Sequence, residues 1–73
     1  MKNITIEVTS VPDREKLVAE IWLNNRLVAE INQESEELAL ELYVEKDKLS
    51  IPLNDFIEAL NHAKEKLVSL NKT

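Results

Sequence analysis

Residues 3–9 read Asn-Ile-Thr-Ile-Glu-Val-Thr, so Ile4, Ile6 and Val8 alternate with Thr5, Glu7 and Thr9. Alternation of β-forming residues with a period of two predicts a half-buried strand over about 3–10. Pro12 cannot donate to a sheet ladder and Asp13 favours a turn. The stretch SVPDRE is therefore a connection, and a second strand begins near Lys16.

The pentapeptide LVAEI occurs at Leu17–Ile21 and again at Leu27–Ile31, separated by WLNNR. One helix through both copies would have to accommodate Asn24-Asn25, poor helix formers that tolerate the left-handed conformation of tight turns. A hairpin of strands over about 16–23 and 27–33 is the better reading. Register decides which side chains it buries, because a slip of one residue exchanges the faces of a strand. A two-residue loop with regular pairing would set Ile21 against Val28 and mix apolar with polar positions. A loop with an odd residue count, or a bulge with Asn25 left-handed, instead places Leu17, Ala19, Ile21 and Leu23 on one face with Leu27, Ala29 and Ile31. The odd loop is the expectation.

A fourth strand over about 37–45 directs Leu38, Leu40, Leu42 and Val44 to that face and Glu37, Ala39, Glu41, Tyr43 and Glu45 to the other. Lys46-Asp47-Lys48 makes a turn, and a short fifth strand over 49–52 would be confined to an edge by Pro52. From Asn54 the period changes. Phe56, Ile57, Leu60, Ala63, Leu67 and Leu70 recur at helical spacing, while Glu58, His62, Glu65 and Lys66 lie opposite, predicting an amphipathic helix over about 54–70. Asn54 is its expected N-cap, with Asp55 and Glu58 near the positive end and Lys64, Lys66 and Lys72 toward the negative end. The pattern specifies an α+β fold: one domain over 1–73, an antiparallel β-meander of four to five strands with a C-terminal helix packed on one face.

The face opposite the helix should then display Thr5, Glu7, Thr9, Val18, Glu20, Trp22, Val28, Glu30, Asn32, Glu41 and Tyr43. Trp22, Tyr43 and Val28 among Glu20, Glu30 and Glu41 make a candidate partner-binding patch, in which aromatics supply anchor area and carboxylates select a basic protein. The competing reading is that Trp22 and Tyr43 only shield sheet backbone. Catalysis is less well supported: His62, the single histidine, falls on the wet side of the helix, and carboxylate pairs such as Glu20 and Glu30 lie on a flat sheet without a cleft. A metal site would need Gly or clustered Asp in a loop, so neither metal nor cofactor is expected.

Composition narrows the classes further. Nine Lys and Arg against 14 Asp and Glu give a net charge of −5, which repels phosphate and argues against nucleic-acid or anionic-membrane binding. There is no glycine, so neither a phosphate-binding loop nor a dinucleotide fingerprint can form, and no cysteine, which removes disulfides and thiolate chemistry. Neither a secretory h-region nor a run of ~20 apolar residues occurs, and the expected location is cytoplasmic. A chain of 73 residues has a thin core. Thin cores and open sheet edges favour a homodimer.

The strings VAEIWLNNRLVAEINQE and LNDFIEALNHAKEKL resemble a group of short, poorly characterised prokaryotic proteins, over most of the chain from Val18 to Leu67. In that group an EIY-like strand, a tight turn, a VALI- or WAEI-like strand and INQE precede a closing LD-FIEAL-AK-KL helix. The likeness implies the same meander and helix. It also implies similarity to the small immunity proteins and anti-defence inhibitors carried by phages and mobile elements. This sequence departs from the group in carrying Asn24-Asn25 where glycine is common. The expected function is a non-enzymatic protein-binding module of inhibitor or immunity type. The alternative is a self-associating structural or accessory subunit, and a weaker third reading is a mimic of nucleic-acid charge.

Overall fold

Strands β1 (Ile4–Thr9), β2 (Val18–Leu23), β3 (Arg26–Asn32) and β4 (Ala39–Leu42) precede a single helix, α1 (Leu53–Leu70), in the computed structural model, which describes residues 3–43 and 48–70. The sheet order is β1-β2-β3-β4 and every neighbouring pair is antiparallel. This is an α+β meander with its C-terminal helix on one face. The alternating apolar positions line up across it: Ile6 faces Ile21, which faces Ala29, which faces Leu42, while Val8, Ala19, Ile31 and Leu40 form the next row.

The hairpin corrects the expected odd loop. Leu23 faces Arg26 across a two-residue turn in which Asn24 and Asn25 both adopt positive φ, 50° and 67°. That is the primed turn whose twist matches the flanking strands. In a chain without glycine, asparagine is the residue that tolerates it best. The ladder then reads Trp22 opposite Leu27 and Ile21 opposite Ala29, so Val28 is the extra residue of a β-bulge. Regular pairing beyond a two-residue loop would mix the faces, and the bulge restores them one step into the strand.

The bulge also reverses two assignments. Val28, expected on the free face and counted in the binding patch, is 2% exposed and belongs to the core cluster with Ile21, Ala29 and Ile31. Leu27, expected in the core, pairs with Trp22 on the other side. The Val28 carbonyl accepts a hydrogen bond from the Tyr43 N–H at 2.9 Å, so the irregular strand still holds its outer neighbour.

The helix starts one residue earlier than expected. Phe56 N–H donates to the Pro52 carbonyl at 3.0 Å, making Pro52 the capping position and placing Asn54 inside the first turn. Residues 49–52 do not form the fifth strand; Leu49 and Ile51 instead pack against the rim of the core. Ala59, Ala63 and Leu67 are fully buried, flanked by the partly buried Phe56 and Leu60. Two alanines in that row let the helix approach the sheet closely. The buried stripe is thus centred on Ala59 and Ala63, and Ile57 and Leu70, expected inside, are each 46% exposed. Glu58, His62, Glu65 and Lys66 are exposed as expected. The assignments for Val44 and Glu45, for the turn at Lys46-Asp47 and for Lys72 lie outside the described residues.

The helix lies over β1 and β2. It leaves the same face of β4 uncovered.

Candidate functional site

On the face away from α1 the register brings Glu7, Glu20, Glu30 and Glu41 into one row, each directly opposite the next across all four strands. Like charges in facing positions destabilise a sheet. The structure offsets this on one half of the row. Arg14, from the connection between β1 and β2, reaches across so that its Nε donates to Glu30 Oε2 at 3.1 Å and its Nη2 donates to Glu41 Oε2. Asn32 Nδ2 donates to the same two oxygens, at 3.3 and 2.9 Å, and the Tyr43 hydroxyl donates to Glu30 Oε1 at 3.3 Å. Glu30 is 4% exposed and receives all three donors, which is how a carboxylate is retained at such depth.

The connection that carries Arg14 is fixed at several points. Arg14 N–H donates to the Val11 carbonyl, the Glu15 and Lys16 N–H groups donate to the Glu34 carboxylate, and Gln33 Nε2 donates to the Leu17 carbonyl at 2.8 Å. Val18, opposite Thr9 in the ladder, is fully buried outside the helix-side core cluster, and Asn32 is also buried on this face. One end of the open face is therefore closed.

The other end is open. Glu20 accepts a hydrogen bond from Trp22 Nε1 at 3.2 Å, while Glu7 is exposed and has no such partner among the described residues. Thr5, Glu7, Trp22 and Asn25 line a shallow depression of about 240 Å³. Of the six residues expected to form the patch, the structure brings Glu30, Glu41 and Tyr43 onto one hydrogen-bond network, sets Glu20 with Trp22 as a separate pair on the same face, and removes Val28. Arg14 was missed by sequence reasoning. Its contacts span 16 and 27 positions, and the only signal was the need of a deep glutamate for a cation.

The network displaces two titrations. Burial, followed by the charges of Glu30 and Glu41, raises the Tyr43 pKa above the ordinary tyrosine value. Arg14 is held further toward its charged form, first by its hydrogen bond to Glu41, against an opposing effect of burial. Tyr43 is the only tyrosine, so an ultraviolet titration reads it directly. Its midpoint is expected above 10.0 in the folded chain, moving back toward that value in Glu30→Gln. Because the unfolded chain gives up this proton first, stability should fall as pH rises from the unfolded toward the folded pKa and level off beyond it. A midpoint indifferent to Glu30→Gln would contradict the described contact.

A second surface lies on the helix side of β4. Leu38, Leu40 and Leu42 are 39%, 46% and 57% exposed, because α1 stops short of them. Between this edge and the helix are two concavities, one of about 270 Å³ lined by residues including Ile31, Leu38, Leu40 and Leu60, the other of about 410 Å³ including Val28, Leu42, Ile51 and Phe56. His62 stands on the exposed side of α1. Among the described residues no group of three or more His, Cys, Asp or Glu side chains is placed to hold a metal ion, and no helix is long and apolar enough to cross a membrane.

Compared with known proteins, the chain matches no family model, no curated protein and no solved structure.

Proposed function

We propose that this chain is a non-enzymatic, cytoplasmic protein-binding module that covers a basic surface of another protein with the open face of its sheet. The observation that carries this reading is the division of the glutamate row. Glu30 and Glu41 are held by Arg14, Asn32 and Tyr43, while Glu7 and Glu20 extend the row toward Trp22 and solvent. A clamped half keeps the sheet face rigid, and the free half offers carboxylates beside an aromatic anchor. The donors around Glu30 occupy its oxygens in a structural role rather than in proton transfer. VAEIWLNNRLVAEINQE resembles short, poorly characterised prokaryotic proteins of the kind carried by mobile elements, where immunity and anti-defence proteins are frequent, and an inhibitory outcome of such binding fits that setting.

A captured partner from a lysate of the native host provides the test. Trp22→Ala is expected to weaken the complex by ~2 kcal/mol or more, as interface anchors do, with the circular dichroism of the free chain nearly unchanged. Glu7→Gln with Glu20→Gln should slow association and flatten its salt dependence, because rim charges act through steering. If Trp22→Ala unfolds the chain and the glutamate changes leave binding untouched, the face is only a solvated surface.

A self-associating subunit is the second reading, and the uncovered leucines of β4 favour it. The two readings use different surfaces and are compatible.

A further inference from the structure

We propose that β4 is a homodimer edge, pairing antiparallel with β4 of a second copy about a two-fold axis that sets Leu40 opposite Leu40 of the partner subunit. The inference is independent of the proposed use of the open face. Tyr43 N–H points into the sheet at Val28, and backbone groups alternate along a strand, so those of Glu41 and Ala39 also point inward. The N–H and C=O groups of Leu40 and Leu42 face the outer edge, where they have no strand partner among the described residues.

The sequence of this edge is self-complementary in one register. Centred on Leu40, the pairing sets Leu38 against Leu42 of the partner subunit and brings all six leucines together on the helix side. On the other face it sets Glu41 against Ala39 of the partner subunit. A centre at Glu41 would stack that carboxylate on its own copy, and a centre at Ala39 would oppose it to Glu37 of the partner subunit; both place like charges face to face. Glu41 is the only charged residue from Leu38 to Leu42, and Arg14 already pairs with it, so a chain of net charge −5 can meet its copy here without opposing unpaired carboxylates.

The other edge is unlike this one. The inward side chains of β1 lie under α1 and its outward positions are Thr5, Glu7 and Thr9. An isologous contact between two short β4 edges with their half-exposed leucines is small beside the ~1,600 Å² of a standard interface, so a weak, concentration-dependent dimer is expected. The two-fold runs perpendicular to the sheet, so both acidic faces would point the same way from one eight-stranded sheet.

The test uses the full chain. Sedimentation equilibrium from low micromolar to near-millimolar concentration is expected to show the mass rising from one chain to two. Leu40→Lys should remain at one chain throughout, with unchanged circular dichroism. The chain has no cysteine, so register can be read by cross-linking. Oxidised Leu40→Cys should form a covalent dimer, and Leu38→Cys mixed with Leu42→Cys should cross-link to each other faster than either does to itself. A mass of one chain at the highest concentration would overturn the proposal. That is the result expected if an extended segment of a different protein is the natural occupant. A dimer that survives Leu40→Lys would also overturn it, as would preferential self-linking of Leu38→Cys, which would centre the pairing on another residue.

Discussion

Leu67→Ala is expected to lower the unfolding free energy by about 2–5 kcal/mol, the range for truncating a large buried aliphatic side chain. Leu67 is the only large side chain of α1 that is completely buried; the other two buried residues of that stripe are Ala59 and Ala63. The helix is already close to the sheet at those alanines, so it cannot settle further to fill the void. A domain of this size has little stability in reserve. Much of the population should therefore unfold at modest urea concentrations, as followed by circular dichroism. Leu53→Ala serves as the control. Leu53 is 72% exposed at the start of the same helix, and its truncation should cost far less. Equal losses would mean that α1 does not dock through the Ala59, Ala63 and Leu67 stripe.

The second large effect concerns two adjacent residues. Val28→Asp should abolish cooperative folding, because an unpaired carboxylate would be placed among Ile21, Ala29 and Ile31, at a cost of several kcal/mol. Leu27→Asp should leave a folded chain, since position 27 is only partly buried and lies beside Trp22 on the open side. Denaturation of the pair reports directly on the bulge. A regular ladder with an odd loop predicts the reverse order, with position 27 intolerant and position 28 permissive.

That reversal shows where the sequence ran out. The alternation in residues 3–9 and the helical spacing after Asn54 are long and unambiguous, and both elements appear where they were expected. The three consecutive apolar residues Leu27, Val28 and Ala29 carry no parity, so either register could be drawn through them. The turn chemistry of Asn24-Asn25 was legible, but the compensating bulge depends on packing against Ile21 and on the hydrogen bond from Tyr43. On the helix, Ala59 carries little weight in a hydrophobic pattern beside Ile57 and Leu70, yet small size is what the contact with the sheet rewards. The acidic face was legible as a set of residues. Its alignment into a single row needed the register, and its closure by Arg14 is a long-range contact that no local spacing encodes.

The extra residue at Val28 also bears on how such a chain tolerates change in length. Losing one residue from a strand normally turns everything beyond it inside out. Here the surplus residue sits where the ladder already counts two against one, so excising it would leave Leu23 with Arg26, Trp22 with Leu27 and Ile21 with Ala29, all facing as before. The cost would be one buried side chain, the hydrogen bond from the Tyr43 N–H and some local twist rather than the register. The hairpin is thus a position at which related chains can differ by one residue in length and still share a core. Counted from the turn, the positions along the third strand would then be offset by one between chains whose folds are the same.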